Sequence, residues 1–83
     1  MPLYLDIHKS VPGATAEAVA GAHEKDLETE AKYGVHYKKY LFDESTGTIF
    51  CLVEAPNKEA AERVHREAHG LVADEIHEVI ESS

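Results

Sequence analysis

An α+β fold ordered β-α-β-β-α-β is what this sequence predicts, and three observations predict it. Segments such as "LYLDIH" alternate apolar and polar residues, as half-buried strands do. Two other stretches space their apolar residues at helical intervals behind capping residues. A faint repeat also relates the two halves at a spacing of 42 residues: Ile7 with Ile49, Val11 with Val53, Glu17 with Glu59, Ala18 with Ala60 and His23 with His65.

In chain order, "LYLDIH" is the first strand and "SVPGAT" the turn behind it. Thr15 then caps a helix running to about Lys32, with Val19, His23, Leu27 and Ala31 at helical spacing. Gly34 in "YGV" suits the left-handed position that ends such a helix. "VHYKKYLF" is a second strand, rich in aromatic and branched residues, and "DESTG" a tight connection. "TIFCLVEA" is apolar on both faces, which predicts a central strand. Pro56 and Asn57 open a second helix, Lys58 to about His69, closed by Gly70. A short last strand lies within "DEIHEVI". Two βαβ halves related by a pseudo-two-fold give the ferredoxin-like fold: a four-stranded antiparallel sheet in the order 4-1-3-2, with both helices on one face.

The 83 residues suffice for one small domain, 1–83, whose core is thin for its surface. Cys51 is the one cysteine, so no intrachain disulfide can add stability, whereas a metal ion or a second subunit could. The opening "MPLYLDIHKS" has neither a basic leader nor a long apolar run. Neither a signal peptide nor a membrane span is expected there, and the cytoplasm is the expected location. Sixteen acidic residues against eight basic ones give a net charge of −8. That field repels phosphate backbones and anionic lipid but tolerates cations. The six histidines are each a potential metal ligand.

Period-two alternation divides the strand residues between two faces. Leu3, Leu5, Ile7, Val35, Leu41, Ile76 and Ile80 are expected under the helices. Tyr4, Asp6, His8, His36, Lys38, Tyr40, Phe42, His77 and Val79 are expected on the open face, joined from the third strand by either Phe50 and Leu52, the favoured pair, or Cys51 and Val53. So greasy a face predicts an interface. Two copies packed sheet to sheet would give a homodimer, a dimeric α/β barrel, enclosing a chamber.

Three groups could carry chemistry. Asp6, His8, His36 and His77 share the expected open face, where they could bind a divalent ion such as nickel, zinc or copper, or form a hydrogen-bonded network across the interface. His36, two strands from the first, would join more easily from the second subunit. Glu62, His65 and His69 form a helical stripe able to chelate an ion. The alternative packs His65 beside Val64 and Ala68 while His69 caps the last carbonyls. His23 with Asp26 and Glu30 reads as a satisfied, half-buried histidine, and Cys51 as core. No Gly-rich phosphate loop or nucleophile elbow is present.

The stretches "DIH", "AHEKDLE", "YGVHYKKY" and above all "FCLVEAPNKEAAERVHREAHGLVADEI" resemble a group of small ferredoxin-like, nickel-binding proteins of actinobacteria and related bacteria, long catalogued as a domain of unknown function. The resemblance runs from Pro2 to about Val79. It implies a cytoplasmic homodimer with nickel binding in at least one member. Asp6, His8, His23, Asp26, Cys51, Glu54, His65 and His69 match its recurring polar positions, whereas His36 and His77 fall where relatives vary. The resulting expectation is a metal-binding protein, most plausibly for nickel, serving storage, buffering or sensing. Asp6, His8, His65 and His69 are the first-choice ligands, and His36 and His77 the second. The competing expectation is a cofactor-independent dimeric barrel enzyme, similar to small monooxygenases or isomerases, with His8, Asp6 and Tyr40 as acid–base groups.

Overall fold

A computed structural model describes residues 1–82. Its elements are β1 (Leu3–His8), α1 (Ala16–Thr29), β2 (His36–Asp43), β3 (Thr48–Glu54), α2 (Lys58–Ala68) and β4 (Glu75–Val79). They form an antiparallel four-stranded sheet in the order β2-β3-β1-β4, the order expected, with both helices on one face.

Both helix starts are fixed by side chains. Thr15 Oγ1 accepts from Ala18 N at 3.1 Å and Asn57 Oδ1 from Ala60 N at 2.8 Å, each satisfying an amide that the first turn leaves free. The first helical stretch ends earlier as an α-helix than the sequence suggested. It tightens into a 3-10 turn over Glu30–Tyr33 and stops on Gly34 at φ 66°.

β1, and β2 beyond its first residues, present the opposite faces from those expected. Register pairs Asp6 with Cys51, His8 with Ile49 and Tyr4 with Val53, and all six are buried beneath the helices. Leu5 pairs with Leu52 and Ile7 with Phe50, so Leu3, Leu5 and Ile7 lie on the open face. The expectation that Leu3, Leu5, Ile7 and Leu41 sit under the helices is therefore corrected, and Leu41 is 62% exposed. Ile80, expected there too, lies beyond β4 and is 94% exposed. Tyr4, Asp6, His8, Tyr40 and Phe42 move the other way. Val35 and Ile76 lie inside, and Phe50, Leu52, His36, His77 and Val79 on the open side, as expected.

Two physical reasons account for the inversion. Alternation says which residues share a face, not which face the helices cover. Apolarity favoured the leucine face, but Asp6 and His8 meet His65 on α2, which Asp26 of α1 holds in place. The second reason is a β-bulge in β2 between Tyr37 and Lys39, which changes the alternation partway. It leaves His36 outward and Tyr37 inward, as alternation has them, while turning Tyr40 and Phe42 inward.

Candidate metal centre

β1 supplies Asp6 and His8, two residues apart on one face. β3 places Cys51 across from Asp6, and α2 brings His65 down onto them. All are sealed from solvent: Asp6 is 0% exposed, His8 3% and His65 1%. Asp26 of α1, 2% exposed, stands on the far side of His65.

His65 bridges two carboxylates. Its Nδ1 lies 2.9 Å from Asp26 Oδ1 and its Nε2 3.0 Å from Asp6 Oδ2. Carboxylates only accept, so both ring nitrogens donate and the ring is an imidazolium. Burial opposes that charge, but hydrogen bonds and attraction from Asp26 and Asp6 outweigh it and lift the group to about 9. Burial would likewise raise the Asp6 carboxyl, yet His65 and then His8 hold it at about 2. Asp26 is lowered for the same reasons, with His65 and His69 as its partners.

His8 is the discordant member. Its Nε2 lies 3.3 Å from His65 Nε2 and 3.2 Å from Asp6 Oδ1, the latter without hydrogen-bond geometry. Asp6 Oδ1 and His8 Nδ1 have no hydrogen-bond partner. Two buried carboxylates, Asp6 and Asp26, also share the one imidazolium of His65, an arrangement that favours a cation.

The donor set fits one. An ion with ligand bonds of about 2.0–2.1 Å holds neighbouring donors about 3.0–3.4 Å apart. The Asp6 carboxylate, His8 Nε2 and His65 Nε2 stand 3.0–3.3 Å from one another. Cys51 completes a group of four whose ligand atoms all lie within 4.8 Å. Burial, then the charge of Asp6, pushes the Cys51 thiol far up, so it stays protonated unless a cation replaces the proton. Oxygen, imidazole and sulfur together suit nickel, zinc or copper.

His69 and Asp26, with His65, form a second such group. Here, though, His69 has both ring nitrogens engaged. Nδ1 accepts from Leu71 N at 3.1 Å, which puts the proton on Nε2, 3.0 Å from Asp26 Oδ1. His69 therefore steadies Asp26 rather than capping helix carbonyls. Tyr37 closes the cluster, donating to Ala61 O at 3.0 Å with its hydroxyl 3.5 Å from Asp6 Oδ2.

The structure thus brings together Asp6, His8, His65 and His69 from the sequence expectation, in one cluster rather than two. It does not bring in His36 or His77. Both sit on the open face, 58% and 55% exposed at the side chain, beside Glu30 and Glu75 respectively. A chamber between two open faces would accordingly hold His36 and His77 and not the Asp6, His8 and Tyr40 of the enzyme expectation. His23 packs on Tyr40, ring centres 4.7 Å apart. Sequence reading placed Cys51 in the core without a role and gave Asp26 to His23. The pairing of Asp6 with Cys51 would have found the first, but register is not written in a single strand.

Among the described residues, no helix is long and apolar enough to cross a membrane. No curated protein matches the chain. Among solved structures, "Crystal structure analysis of SCO4226 from Streptomyces coelicolor A3(2)" matches with 42% identity and a TM-score of 0.89, over 98% of this chain and 99% of that one. Residues 4–79 match the family described as "Nickel responsive protein SCO4226-like". With its α+β fold shared at that identity and the match spanning nearly its whole length, the chain belongs to the SCO4226-like family of nickel-responsive proteins.

Proposed function

We propose that this protein binds a divalent transition metal, nickel foremost, through Asp6, His8, Cys51 and His65, and so buffers, stores or senses it. One observation carries the reading: Asp6, His8 and His65 bring carboxylate and imidazole donors to 3.0–3.3 Å of one another in a buried cluster where Asp6 Oδ1 has no hydrogen-bond partner. Membership of a family described as nickel-responsive supports nickel over zinc or copper.

The chain's own residues divide the work. Asp6, His8 and Cys51 present donors from the rigid sheet, and His65 presents Nε2 from α2. Asp26 holds the proton on His65 Nδ1 and so fixes the ring's orientation, as carboxylates behind ligating histidines do. His69 anchors Asp26 in turn. Binding must displace a proton from His65 Nε2 and one from Cys51, so uptake releases protons. A bound ion supplies positive charge that neutralises the cluster.

Calorimetry on chelator-stripped protein with nickel, zinc and copper tests this. The expected result is one buried ion per chain, lost in Asp6→Asn and weakened about 10–100-fold in Asp26→Asn. A His36→Asn, His77→Asn double variant should take up that ion unchanged. Uptake that vanishes with His36 and His77 but survives Asp6→Asn would overturn the site.

The homodimer belongs to the same proposal. Leu5, Ile7, Phe50 and Leu52 make a continuous apolar strip on the open face, flanked by exposed Leu41. A second copy covers it by presenting the same strip. His36 and His77 would then lie at that interface, on the opposite side of the sheet from the metal centre.

A further inference from the structure

We propose that Asp26, His65 and His69 form an outer staging site on the path by which a divalent cation reaches the sealed centre; this rests on the metal reading. Asp6, His8 and His65 are shut off from solvent, so an ion needs a route in. The cleft lined by His8, Cys51 and His65 is lined by Asp26 and His69 as well, and so joins the two donor groups. It offers about 20 Å³ of room, enough for a water molecule or two. A hydrated divalent ion carries several waters, each taking about 30 Å³ in the liquid. Such an ion must exchange most of that shell for protein donors before it enters.

The outer group is placed to make that exchange. His69 is the member that solvent reaches best, with 12% of its side chain exposed against 3% for Asp26 and 1% for His65. His69 Nε2 and His65 Nδ1 converge on one oxygen, Asp26 Oδ1, at 3.0 and 2.9 Å. His69 also ends α2, where the partial negative charge of the helix terminus favours a cation. The net charge of −8 draws cations toward the surface from which they enter. His65 belongs to both groups, through Nδ1 outside and Nε2 inside, and its ring keeps a proton on one nitrogen while the other binds. The two groups therefore fill in succession. At the outer group the ion takes the places of the protons on His69 Nε2 and His65 Nδ1. As it moves inward it displaces those of His65 Nε2 and the Cys51 thiol, and both outer nitrogens take protons back from water and donate to Asp26 again.

The test is stopped-flow mixing of nickel with chelator-stripped protein in the His36→Asn, His77→Asn background, so that exposed imidazoles do not contribute. An ion held by oxygen and imidazole alone lacks the near-ultraviolet absorption of a nickel–thiolate pair, so that absorption marks arrival at Cys51. Two phases are expected. Proton release, followed with a pH indicator, comes first at a rate proportional to nickel concentration; the thiolate band follows at a rate that levels off as nickel is raised. His69→Asn removes Nε2 but leaves an oxygen able to accept from Leu71 N. In that variant uptake and release should both slow about tenfold, as when one stabilising contact is lost along a path. If His69 only steadies Asp26, the variant would instead release nickel faster and take it up at the unsubstituted rate, and the staging site would be overturned. A thiolate band rising in one phase, with a rate proportional to nickel at every concentration, would overturn it too and leave the metal reading standing. Failure of the stripped protein to take up nickel at all would overturn both, and uptake is measured first.

Discussion

At His65 one imidazolium is shared by two buried carboxylates, and this makes the metal-free protein sensitive to pH at both ends. The His65 group stands at about 9 in the folded chain against 6.5 in an ordinary setting, so its stabilisation is complete below 6.5 and lost as pH rises through about 9. Asp6 works in the opposite sense. Its carboxyl lies at about 2 against 3.8, so its contribution is present above 3.8 and lost as pH falls through about 2. Both describe largely the same ion pair, worth on the order of 3 kcal/mol by the His65 shift. Urea unfolding in the presence of chelator should therefore show a plateau of stability between about pH 4 and 6.5 and a decline toward pH 9. His65→Gln should remove the alkaline decline, leaving a less stable but flatter profile. A wild-type profile already flat from pH 6 to 9 would mean that His65 is not held between Asp6 and Asp26.

On the scale of elements, the helices were legible and the strand faces were not. Thr15, Asn57 and Gly34 act within a few residues of themselves, so the positions of both caps and of the left-handed stop could be read directly from sequence. Asn57 matters beyond its own turn, because α2 carries His65 to the sheet. Asn57→Ala should cost about 1 kcal/mol, seen as a lower urea midpoint at unchanged slope. No change would mean that water replaces the cap at Ala60 N. The β2 bulge is the contrary case. "HYKKYLF" alternates cleanly on paper, but pairing with β3 skips Lys38, and the residues after it exchange faces. His36 was placed correctly on the open side, and Tyr40 and Phe42, only a few residues on, were not.

For the whole molecule, the sheet separates two surfaces of different character. One holds the charged cluster under α1 and α2, and the other is an open apolar strip. Their independence can be tested. Leu5→Lys should convert the proposed dimer to monomers in sedimentation equilibrium while nickel uptake persists, because Asp6 and His8 point to the other side. Wild-type protein sedimenting as a stable monomer would overturn the dimer, and loss of nickel along with it in Leu5→Lys would show that the two surfaces are coupled.

The sequence alone determined the element order, the helix caps, the sheet order implied by two βαβ halves, and the residue types able to hold a metal. These follow from local backbone preference and short-range periodicity. It also named Asp6, His8, His65 and His69, because carboxylate and imidazole chemistry is visible in any context. Only the tertiary structure decided which side of the sheet the helices cover, and with it that Asp6 and His8 meet His65 while His36 and His77 do not. That choice depends on charge complementarity between residues far apart in the chain, such as Asp6 and His65, 59 positions apart. No local pattern encodes such a pairing; it exists only once β1, β3 and α2 are packed together.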